Sequence, residues 1–317
     1  MLPTSSGVLA GIGNTPLIDI SDVAPPGSAR ILLKLEWANP TGSMKDRMAI
    51  AAIECAERSG RLGPGGTVVE YTAGTTGISL AFICAAKRYG LEIVFSDAFS
   101  DEKRRTMQAF GAKITDVKSD NKKITEALIR EMILTAGEIS QRPRHWYCDQ
   151  LNNQDATSGY LPLGEEIWSQ TGGAVTAFVH AVSTAHSIHG VTQALWAHNP
   201  EIEITAVEPE ESAVLSGMPS GSHKIEGIGI GFIPPLWKPD MVHRIERVST
   251  ADAKDMTRRL ALQRGVFAGT STGANVVAAR RVAERIGSSS ATVVTIACDS
   301  GLRYLSTDVF GKPDAES

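Results

Sequence analysis

The chain has 317 residues, with 35 acidic and 31 basic side chains, 42% hydrophobic residues and four cysteines, and its formal net charge at pH 7 is −4. This near-neutral balance predicts no nucleic-acid partner, no apolar run approaches the roughly 18 residues of a membrane span, and the N-terminus lacks the regions of a secretory signal. Four cysteines in a chain of this length make no disulfide framework, so we expect reduced thiols and a cytoplasmic protein.

Strand-like and helix-like segments alternate along the first half of the chain. Short apolar, β-branched runs predict strands, and apolar residues at helical spacing predict helices. In chain order the predicted elements are a strand over 29–35, a helix over 46–59, a strand over 67–70, a helix over 78–89, a strand over 92–95, a helix over 101–110, a strand over 113–117 and a helix over 122–139. A loop is expected at 141–144.

The second half shows the same alternation. Its predicted elements are a strand over 177–182, a helix over 189–196, a strand over 202–207, helices over 251–264 and 274–286, and a strand over 291–297. Strands that alternate with helices predict βαβ units, mainly parallel sheet and an α/β fold. At about 150 residues per domain the length predicts two domains. The best candidate boundary is the polar stretch at 151–158.

Four turn-rich segments stand where predicted strands pass into helices, which is the edge at which α/β sheets bind ligands. The first, NPTGSMKDR at residues 39–47, places Lys45 in the first turn of a helix. The positive end of the helix dipole lowers the pKa of an ammonium group there, which suits an amine nucleophile. On spacing alone, a solvated surface lysine remains the alternative.

The other three segments are EYTAGTTG at 70–77, VSTAHS at 182–187 and IACDSGLRY at 296–304. The first two place backbone N–H groups at a helix N-terminus, where a carboxylate or a phosphate is favoured. Each turn alone is also an ordinary connection between a strand and a helix. None matches a P-loop, and no GxGxxG stands in a dinucleotide-binding context.

Taken together and in order, these segments resemble the cysteine synthase branch of the fold type II enzymes that use pyridoxal 5′-phosphate (PLP). That branch includes O-acetylserine sulfhydrylases and cystathionine β-synthases. The resemblance spans roughly residues 11–310 and rests on GIGNTPL (11–17), NPTGSMKDR (39–47), KIEGIGIGFIP (224–234), GTSTGA (269–274) and RYLST (303–307).

The resemblance implies an architecture of two three-layer α/β domains with the cofactor in the cleft between them. The smaller, mobile domain would comprise residues 38–154, and the larger, PLP-binding domain would comprise residues 1–37 and 155–317. The resemblance also implies a homodimer that acts on a small amino-acid substrate, with no membrane or nucleic-acid partner.

Residue roles follow from the same resemblance. Lys45 would form the Schiff base with PLP and then remove the α-proton of the substrate, while the cofactor acts as an electron sink. The further cofactor contacts that it implies are Thr75, Ser183, Thr184, Ala185, His186, Ser187 and Cys298. The substrate contacts that it implies are Thr72, Ala73, Gly74, Thr76, Gln150 and Gly227.

Two of these loops depart from the family's pattern. Ala73 and Thr75 stand where the sulfhydrylases have the serine and asparagine of TSGNTG. Losing a donor to a carboxylate typically costs ~1.5–3 kcal/mol, so the identity of the substrate stays open. In the phosphate loop, Ala185 and His186 replace glycines, which tolerate positive φ. His186 is either a further donor to the phosphate or an exposed loop histidine.

The residue beside the pyridine nitrogen is the third departure, because Cys298, Asp299 and Ser300 compete for that position. We favour Cys298, which directly follows the predicted strand. A neutral thiol would leave the nitrogen unprotonated, whereas an aspartate would make a pyridinium. The remaining cysteines are interpreted as buried small hydrophobic residues; they are Cys55, Cys84 and Cys148. His186 and His189 have i, i+3 spacing but no further ligands, so no metal site is expected.

The sequence therefore predicts a PLP-dependent transferase that performs β-replacement on an activated L-serine such as O-acetylserine, with sulfide as the default nucleophile. One alternative keeps PLP but changes the nucleophile or substrate, as in diamino-acid synthesis or in enzymes of the ammonia-lyase or desulfhydrase type. Another is a regulatory homologue that has lost PLP. Retention of Lys45 argues against this last alternative.

Overall fold

The structure is a computed structural model that describes residues 7–121 and 125–311. Within these ranges the residues group into two compact units. The smaller unit comprises residues 7–12 and Lys45–Gly159, and the larger unit comprises Gly13–Met44 and residues 160–311. Lys45 is therefore the residue at which the chain passes from the larger unit to the smaller one.

Strands and helices alternate in both units, which confirms the α/β class. The strands of the described chain are β1 (Leu17–Asp19), β2 (Arg30–Leu35), β3 (Thr67–Tyr71), β4 (Gly90–Ser96), β5 (Lys113–Val117), β6 (His145–Tyr147), β7 (Ala177–Ala181), β8 (Glu203–Pro209), β9 (Arg244–Val248) and β10 (Thr292–Ala297). Its α-helices are α1 (Lys45–Arg58), α2 (Thr75–Lys87), α3 (Asp101–Ala109), α4 (Glu126–Ser140), α5 (Leu161–Gln170), α6 (His186–His198), α7 (Thr250–Arg264) and α8 (Thr270–Ile286).

The sheet of the smaller unit has the strand order β5-β4-β3-β6, and all three pairings are parallel. In its register, Val69 of β3 lies opposite Glu92 of β4 and Tyr147 of β6. Parallel sheets are covered on both faces, which explains why β3 and β4 are buried almost throughout. The carboxyl ends of parallel strands share one edge, so the segments that follow β3 and β6 meet there.

The sheet of the larger unit has the order β1-β2-β10-β7-β8-β9, in which β1 is antiparallel to β2 and every other pairing is parallel. The central strands β10 and β7 are buried at every residue. Their carboxyl ends lie at the same edge of this sheet. That edge therefore carries the segment before α6 and the segment that follows β10.

The first turns of α2, α6 and α8 are made of residues that the sequence analysis treated as loops. These helices begin at Thr75, His186 and Thr270, so the predicted starts at 78, 189 and 274 are wrong. Threonine, serine and glycine are weak helix formers in a helix interior. The N-cap residues of these helices are Gly74, Ala185 and Gly269, and none of them makes a side-chain cap hydrogen bond, so the sequence has no capping signal at these starts.

Several short or polar elements have no clear pattern in the sequence. The strand β6 directly follows the expected loop at 141–144, and three of the five residues of β9 are charged, with only Val248 fully buried. Helix α5 contains both a proline and a glycine, which weaken a helical prediction. The helix predicted over 122–139 is α4 from Glu126 onward, and 122–124 lie outside the described residues.

The four cysteines are free thiols. Cys84 and Cys148 are buried as predicted, but Cys55 is only half-buried, with its Sγ 2.9 Å from Nη2 of Arg58. The interpretation of Cys55 as a core residue is therefore wrong. Across the described ranges, no helix combines the length and the apolar character that crossing a membrane requires.

Two helical glycines offer a matched test of the packing. A Cβ on Gly273 of α8 would overlap the carbonyl oxygen of Ala253 in α7, whereas Gly137 of α4 has open space around it. Gly273→Ala should lower the free energy of unfolding by about 1–3 kcal/mol because the helices must separate. Gly137→Ala should raise it by about 0.5–1 kcal/mol. Urea unfolding measures both, and equal effects of the two substitutions would contradict the packing described.

Candidate active site

Lys45 is the first residue of α1, and its side chain is half-buried. The sequence prediction that it lies in the first helical turn is therefore confirmed, and its ammonium group stands at the positive end of the helix dipole. Backbone hydrogen bonds fix the segment directly before it. Met44 N donates to the carbonyl oxygen of Cys298 over 3.0 Å, and Ser300 N donates to that of Gly42 over 3.0 Å.

The turn between β3 and α2 contains the predicted substrate loop. Thr72 is buried, and its Oγ1 accepts a hydrogen bond from the backbone N–H of Gly74 over 2.9 Å. Gly74 has φ +133°, a value that residues with a Cβ rarely adopt. Ala73 is exposed at the tip of the turn, and Thr75 is half-buried at the start of α2. The turn thus ends at a helix N-terminus, where an anion is favoured.

Gln150, three residues beyond β6, reaches this turn through both ends of its side-chain amide. Its Oε1 accepts a hydrogen bond from Thr76 Oγ1 over 2.8 Å, and its Nε2 donates to the carbonyl oxygen of Tyr71 over 2.8 Å. The smaller unit therefore brings together four of the predicted substrate contacts, which are Thr72, Gly74, Thr76 and Gln150.

Glu70 is a residue of this site that sequence reasoning missed. It is fully buried at the end of β3, where Oε1 accepts the N–H of Tyr71 and Oε2 accepts the N–H of Gln150, each over 3.0 Å. Burial raises the pKa of Glu70 well above its usual range, and the nearby charge of Asp149 raises it further. The two backbone hydrogen bonds lower the pKa, but burial outweighs them. The available signal was a charged residue inside an otherwise apolar strand, directly before a Gly/Thr turn.

The thiol of Cys148 lies in the same buried surroundings as the Glu70 carboxyl. Burial, followed by the neighbouring Glu70 carboxyl, raises the pKa of that thiol well above its usual value. Cys148 is thus buried, as predicted, but it also belongs to the polar group under the substrate loop. Glu70 holds the backbone of Gln150 through its Oε2.

The predicted phosphate loop, residues 183–187, joins β7 to α6 in the larger unit. Ala185 has φ +70°, so an alanine adopts the left-handed conformation usually left to glycine, at a cost of roughly 1–2 kcal/mol. His186 is 1% exposed, and its Nδ1 lies 2.8 Å from Oγ1 of Thr184. The alternative of an exposed loop histidine is therefore wrong. Thr184 and Ser187 are buried and Ser183 is half-buried.

A chain of buried polar side chains connects this loop with the segment after β10. Ser187 Oγ lies 2.9 Å from His180 Nε2, and His180 Nδ1 lies 3.3 Å from Nδ2 of Asn275. The same Nδ2 is 3.4 Å from Sγ of Cys298. The larger unit thus links two predicted cofactor contacts, Ser187 and Cys298, through His180 and Asn275, which the sequence analysis did not select.

The two competitors of Cys298 bond to the short helical turn that follows them. Oδ2 of Asp299 accepts a hydrogen bond from the hydroxyl of Tyr304 over 2.8 Å, and Oγ of Ser300 accepts one from the N–H of Leu302 over 3.3 Å. Burial raises the pKa of Tyr304 well above its usual value, and the charge of Asp299 adds to that shift. The tyrosine is therefore a neutral donor to Asp299.

Gly227 lies on an exposed loop of the larger unit with φ +88°. The loop is attached to the phosphate-loop segment, since the N–H of Gly229 donates to the carbonyl oxygen of Val182 over 3.1 Å.

His189 lies in α6, three residues after His186. Burial, and secondarily the charge of Lys238, lowers the pKa of His189 to about 4. Nowhere in the described chain do three or more His, Cys, Asp or Glu side chains form a group that could hold a metal ion.

Comparison with known proteins identifies the family. Residues 8–299 match the model of a family described as pyridoxal-phosphate-dependent enzymes. The chain belongs to this family. A cysteine synthase of Staphylococcus aureus is 38% identical to it over 305 residues, which cover 96% of each chain. These findings confirm the resemblance inferred from the motifs, and with it the requirement for PLP.

Solved structures agree with this assignment. The crystal structure of a cysteine synthase from Entamoeba histolytica has a TM-score of 0.90 and 36% identity, and the match covers 98% of this chain and 92% of that one. The crystal structure of an O-ureido-L-serine synthase has a TM-score of 0.90 and 32% identity, with 99% of this chain and 98% of that one covered. The fold type II architecture is therefore confirmed.

The β7–α6 turn suits the phosphate group of PLP. It ends at the N-terminus of a helix whose first-turn N–H groups can face an anion, and the turn carries the buried hydroxyls of Thr184 and Ser187. Ala185 keeps the left-handed conformation despite the loss of glycine.

Glu70→Gln tests the raised pKa of the buried carboxyl, because glutamine has nearly the same shape but does not titrate. The pKa of Glu70 in the folded protein lies above the unfolded value of about 4.3. Its contribution to stability is therefore complete below about pH 4 and is lost as the pH rises toward the folded pKa. The unfolding free energy of the wild type, minus that of Glu70→Gln, should fall as the pH rises above about 4. Urea unfolding measures this difference. A constant value would show that the pKa of the carboxyl is not shifted by folding, and a rising value would show that folding lowers it; either result contradicts the description of Glu70.

Proposed function

We propose that this enzyme catalyses β-replacement on an activated L-serine such as O-acetylserine, with sulfide as the nucleophile, and that it forms L-cysteine and acetate. The observation that carries the proposal is Lys45 at the start of α1, in a chain that is 38% identical to a cysteine synthase over 96% of its length. In this proposal Lys45 Nζ carries the cofactor covalently between turnovers.

Lys45 then acts on a proton at the substrate. PLP, when bound, supplies an electron sink for the negative charge that develops at the substrate Cα. Nζ of Lys45 accepts the Cα proton as acetate leaves from Cβ, and it returns a proton to Cα after sulfide has added to Cβ.

The substrate carboxylate, in our proposal, binds at the N-terminus of α2. The backbone N–H groups of that first turn supply donors, and Thr72 and Gly74 set the shape of the turn through their mutual hydrogen bond. Gln150 adds an amide donor: one N–H of its Nε2 is bonded to Tyr71, and we assign the second to the carboxylate. The methyl group of Ala73 offers no donor, so we assign Ala73 only a backbone contact.

At the cofactor, we assign the phosphate to residues 183–187, with Ser183, Thr184, Ala185, His186 and Ser187 as contacts. Thr75 would contact the ring substituents, and Gly227 would line the mouth of the site. Cys298 is our choice beside the pyridine nitrogen, because Asp299 is bonded to Tyr304 and Ser300 to Leu302. A neutral thiol at that position would leave the pyridine nitrogen unprotonated, which would favour loss of the β-substituent over other chemistry.

A second candidate keeps the cofactor and changes the nucleophile or the substrate. It is favoured by Ala73, which lacks the hydroxyl of the serine it replaces, by Thr75, which has a hydroxyl in place of an asparagine amide, and by the likeness to an O-ureido-L-serine synthase. An amine or another acceptor would then replace sulfide, or elimination would release ammonia. A regulatory homologue without PLP is not supported, because Lys45 and the buried hydroxyls of Thr184 and Ser187 are retained.

Product analysis separates these candidates. We expect L-cysteine from O-acetylserine and sulfide, and little product from O-phosphoserine, L-serine or L-cysteine as donors. Mass spectrometry of mixtures that contain sulfide, ammonia or a primary amine would identify the nucleophile. A diamino acid or free ammonia as the main product would replace the first candidate by the second.

Lys45→Ala tests the proposed role of the lysine. The variant should lose the visible absorbance of lysine-bound PLP and about a thousandfold in kcat, since proton transfer by a positioned base contributes factors of that order. Lys113→Ala is the control, because Lys113 belongs to the same unit but lies largely exposed beside Glu92. An unchanged spectrum and turnover in Lys45→Ala would remove Lys45 from the mechanism.

We further propose that the enzyme acts as a homodimer in the cytoplasm, and that the smaller unit closes on the substrate as in the family it resembles. The four free thiols are consistent with a reducing compartment. Sedimentation equilibrium of the holoenzyme tests the assembly, and a mass equal to a single chain would contradict a dimer.

A further inference from the structure

His180 is an unusual residue for its position, since it occupies the middle of the fully buried strand β7 with 2% exposure. Its ring nitrogens face two polar side chains from two different helices. Nε2 lies 2.9 Å from Ser187 Oγ of α6, and Nδ1 lies 3.3 Å from Asn275 Nδ2 of α8. Neither contact belongs to the sheet, so the imidazole has a role beyond filling the core.

The orientation of the Asn275 amide is fixed by the backbone of two strands. Its Oδ1 accepts the N–H of Ala181 over 2.8 Å, and its Nδ2 donates to the carbonyl oxygen of Ile296 over 2.7 Å. If the two ends of the amide were exchanged, its amino group would face the N–H of Ala181 and its oxygen would face the carbonyl oxygen of Ile296, and neither pair could form a hydrogen bond. The group that faces His180 is therefore the amino group, a donor.

This orientation determines where the imidazole carries its proton. A ring nitrogen that faces an N–H donor must accept, so Nδ1 is unprotonated and the hydrogen of the neutral ring is on Nε2. Nε2–H then donates to Oγ of Ser187. Since Oγ accepts from His180, the hydroxyl hydrogen of Ser187 must point toward a different acceptor.

We propose that His180 is a positioning residue for the cofactor: with Asn275 it orients the Ser187 hydroxyl as a donor to the phosphate of PLP. This inference rests on the proposed placement of the phosphate at residues 183–187. A hydroxyl that is already oriented loses no rotational freedom when the phosphate binds, which increases affinity through preorganisation. Without His180, the Ser187 hydroxyl could turn to other acceptors, such as backbone carbonyl groups of its own helix.

Two substitutions of similar polarity separate positioning from mere packing. A glutamine side chain places its amide at the level of Nε2 and keeps a donor to Ser187, whereas an asparagine side chain ends at the level of Nδ1 and leaves Ser187 without one. The dissociation constant of PLP from the reconstituted apoenzyme should change less than about threefold in His180→Gln and rise about tenfold in His180→Asn, which corresponds to about 1.4 kcal/mol.

A double-mutant cycle tests whether His180 acts through Ser187. Ser187→Ala alone should weaken PLP binding, and adding His180→Asn to it should weaken binding by less than about twofold more. Pyridoxal, which lacks the phosphate, should bind equally well to the wild type and to His180→Asn. The ³¹P NMR shift of bound PLP should move in His180→Asn and stay at the wild-type value in His180→Gln.

The outcomes distinguish an error in the proposed phosphate site from an error in the role of His180. If Ser187→Ala leaves the affinity for PLP unchanged, the proposed phosphate site itself is wrong. Additive effects of the two substitutions, equal losses in His180→Asn and His180→Gln, or equal weakening of pyridoxal and PLP would overturn the role of His180 alone. Thermal unfolding of each apoenzyme identifies any variant that has lost its fold. If His180→Asn is such a variant, His180→Gln and Ser187→Ala still decide, because Ser187→Ala must weaken PLP binding, and a loss of PLP affinity in a folded His180→Gln that exceeds about threefold would overturn the role of His180.

Discussion

Parallel strand pairing is the constraint on which both units depend. The carboxyl ends of parallel strands lie at the same edge of the sheet. Segments that follow different strands are therefore close in space at that edge even when they are distant in sequence. In the smaller unit this brings the turn after β3 to Gln150, which follows β6. In the larger unit it brings the segment after β7 to the segment after β10. The chemistry is therefore assembled from strand ends, and the helices that follow supply exposed N–H groups.

Each unit then fixes its edge with one buried polar side chain. In the smaller unit Glu70 accepts two backbone N–H groups and holds the segment that carries Gln150. In the larger unit Asn275 bonds to the backbone of β7 and β10 and reaches both His180 and Cys298. Buried polar groups are costly unless they are satisfied, so such residues specify one arrangement rather than simply adding stability.

Most of the fold was predictable from the sequence because it depends on local patterns, although the short or polar elements β6, β9 and α5 were not. The apolar runs of β3, β7 and β10 identify buried parallel strands, and the motifs around Lys45 and the turns at 72–77 and 183–187 identify the site. The helix starts at Thr75, His186 and Thr270 were not predictable in the same way, since their propensities favour loops. Glu70, His180 and Asn275 were missed for another reason. Their roles depend on partners far along the chain, and only the assembled sheets show which backbone groups they meet.

A crystal structure of the holoenzyme grown with PLP tests the central claim most directly. Our account predicts continuous density between the cofactor and Nζ of Lys45. It also predicts the phosphate at the start of α6, within hydrogen-bonding distance of the hydroxyls of Thr184 and Ser187. Cofactor density that avoids Lys45, or a phosphate bound away from residues 183–187, would contradict it.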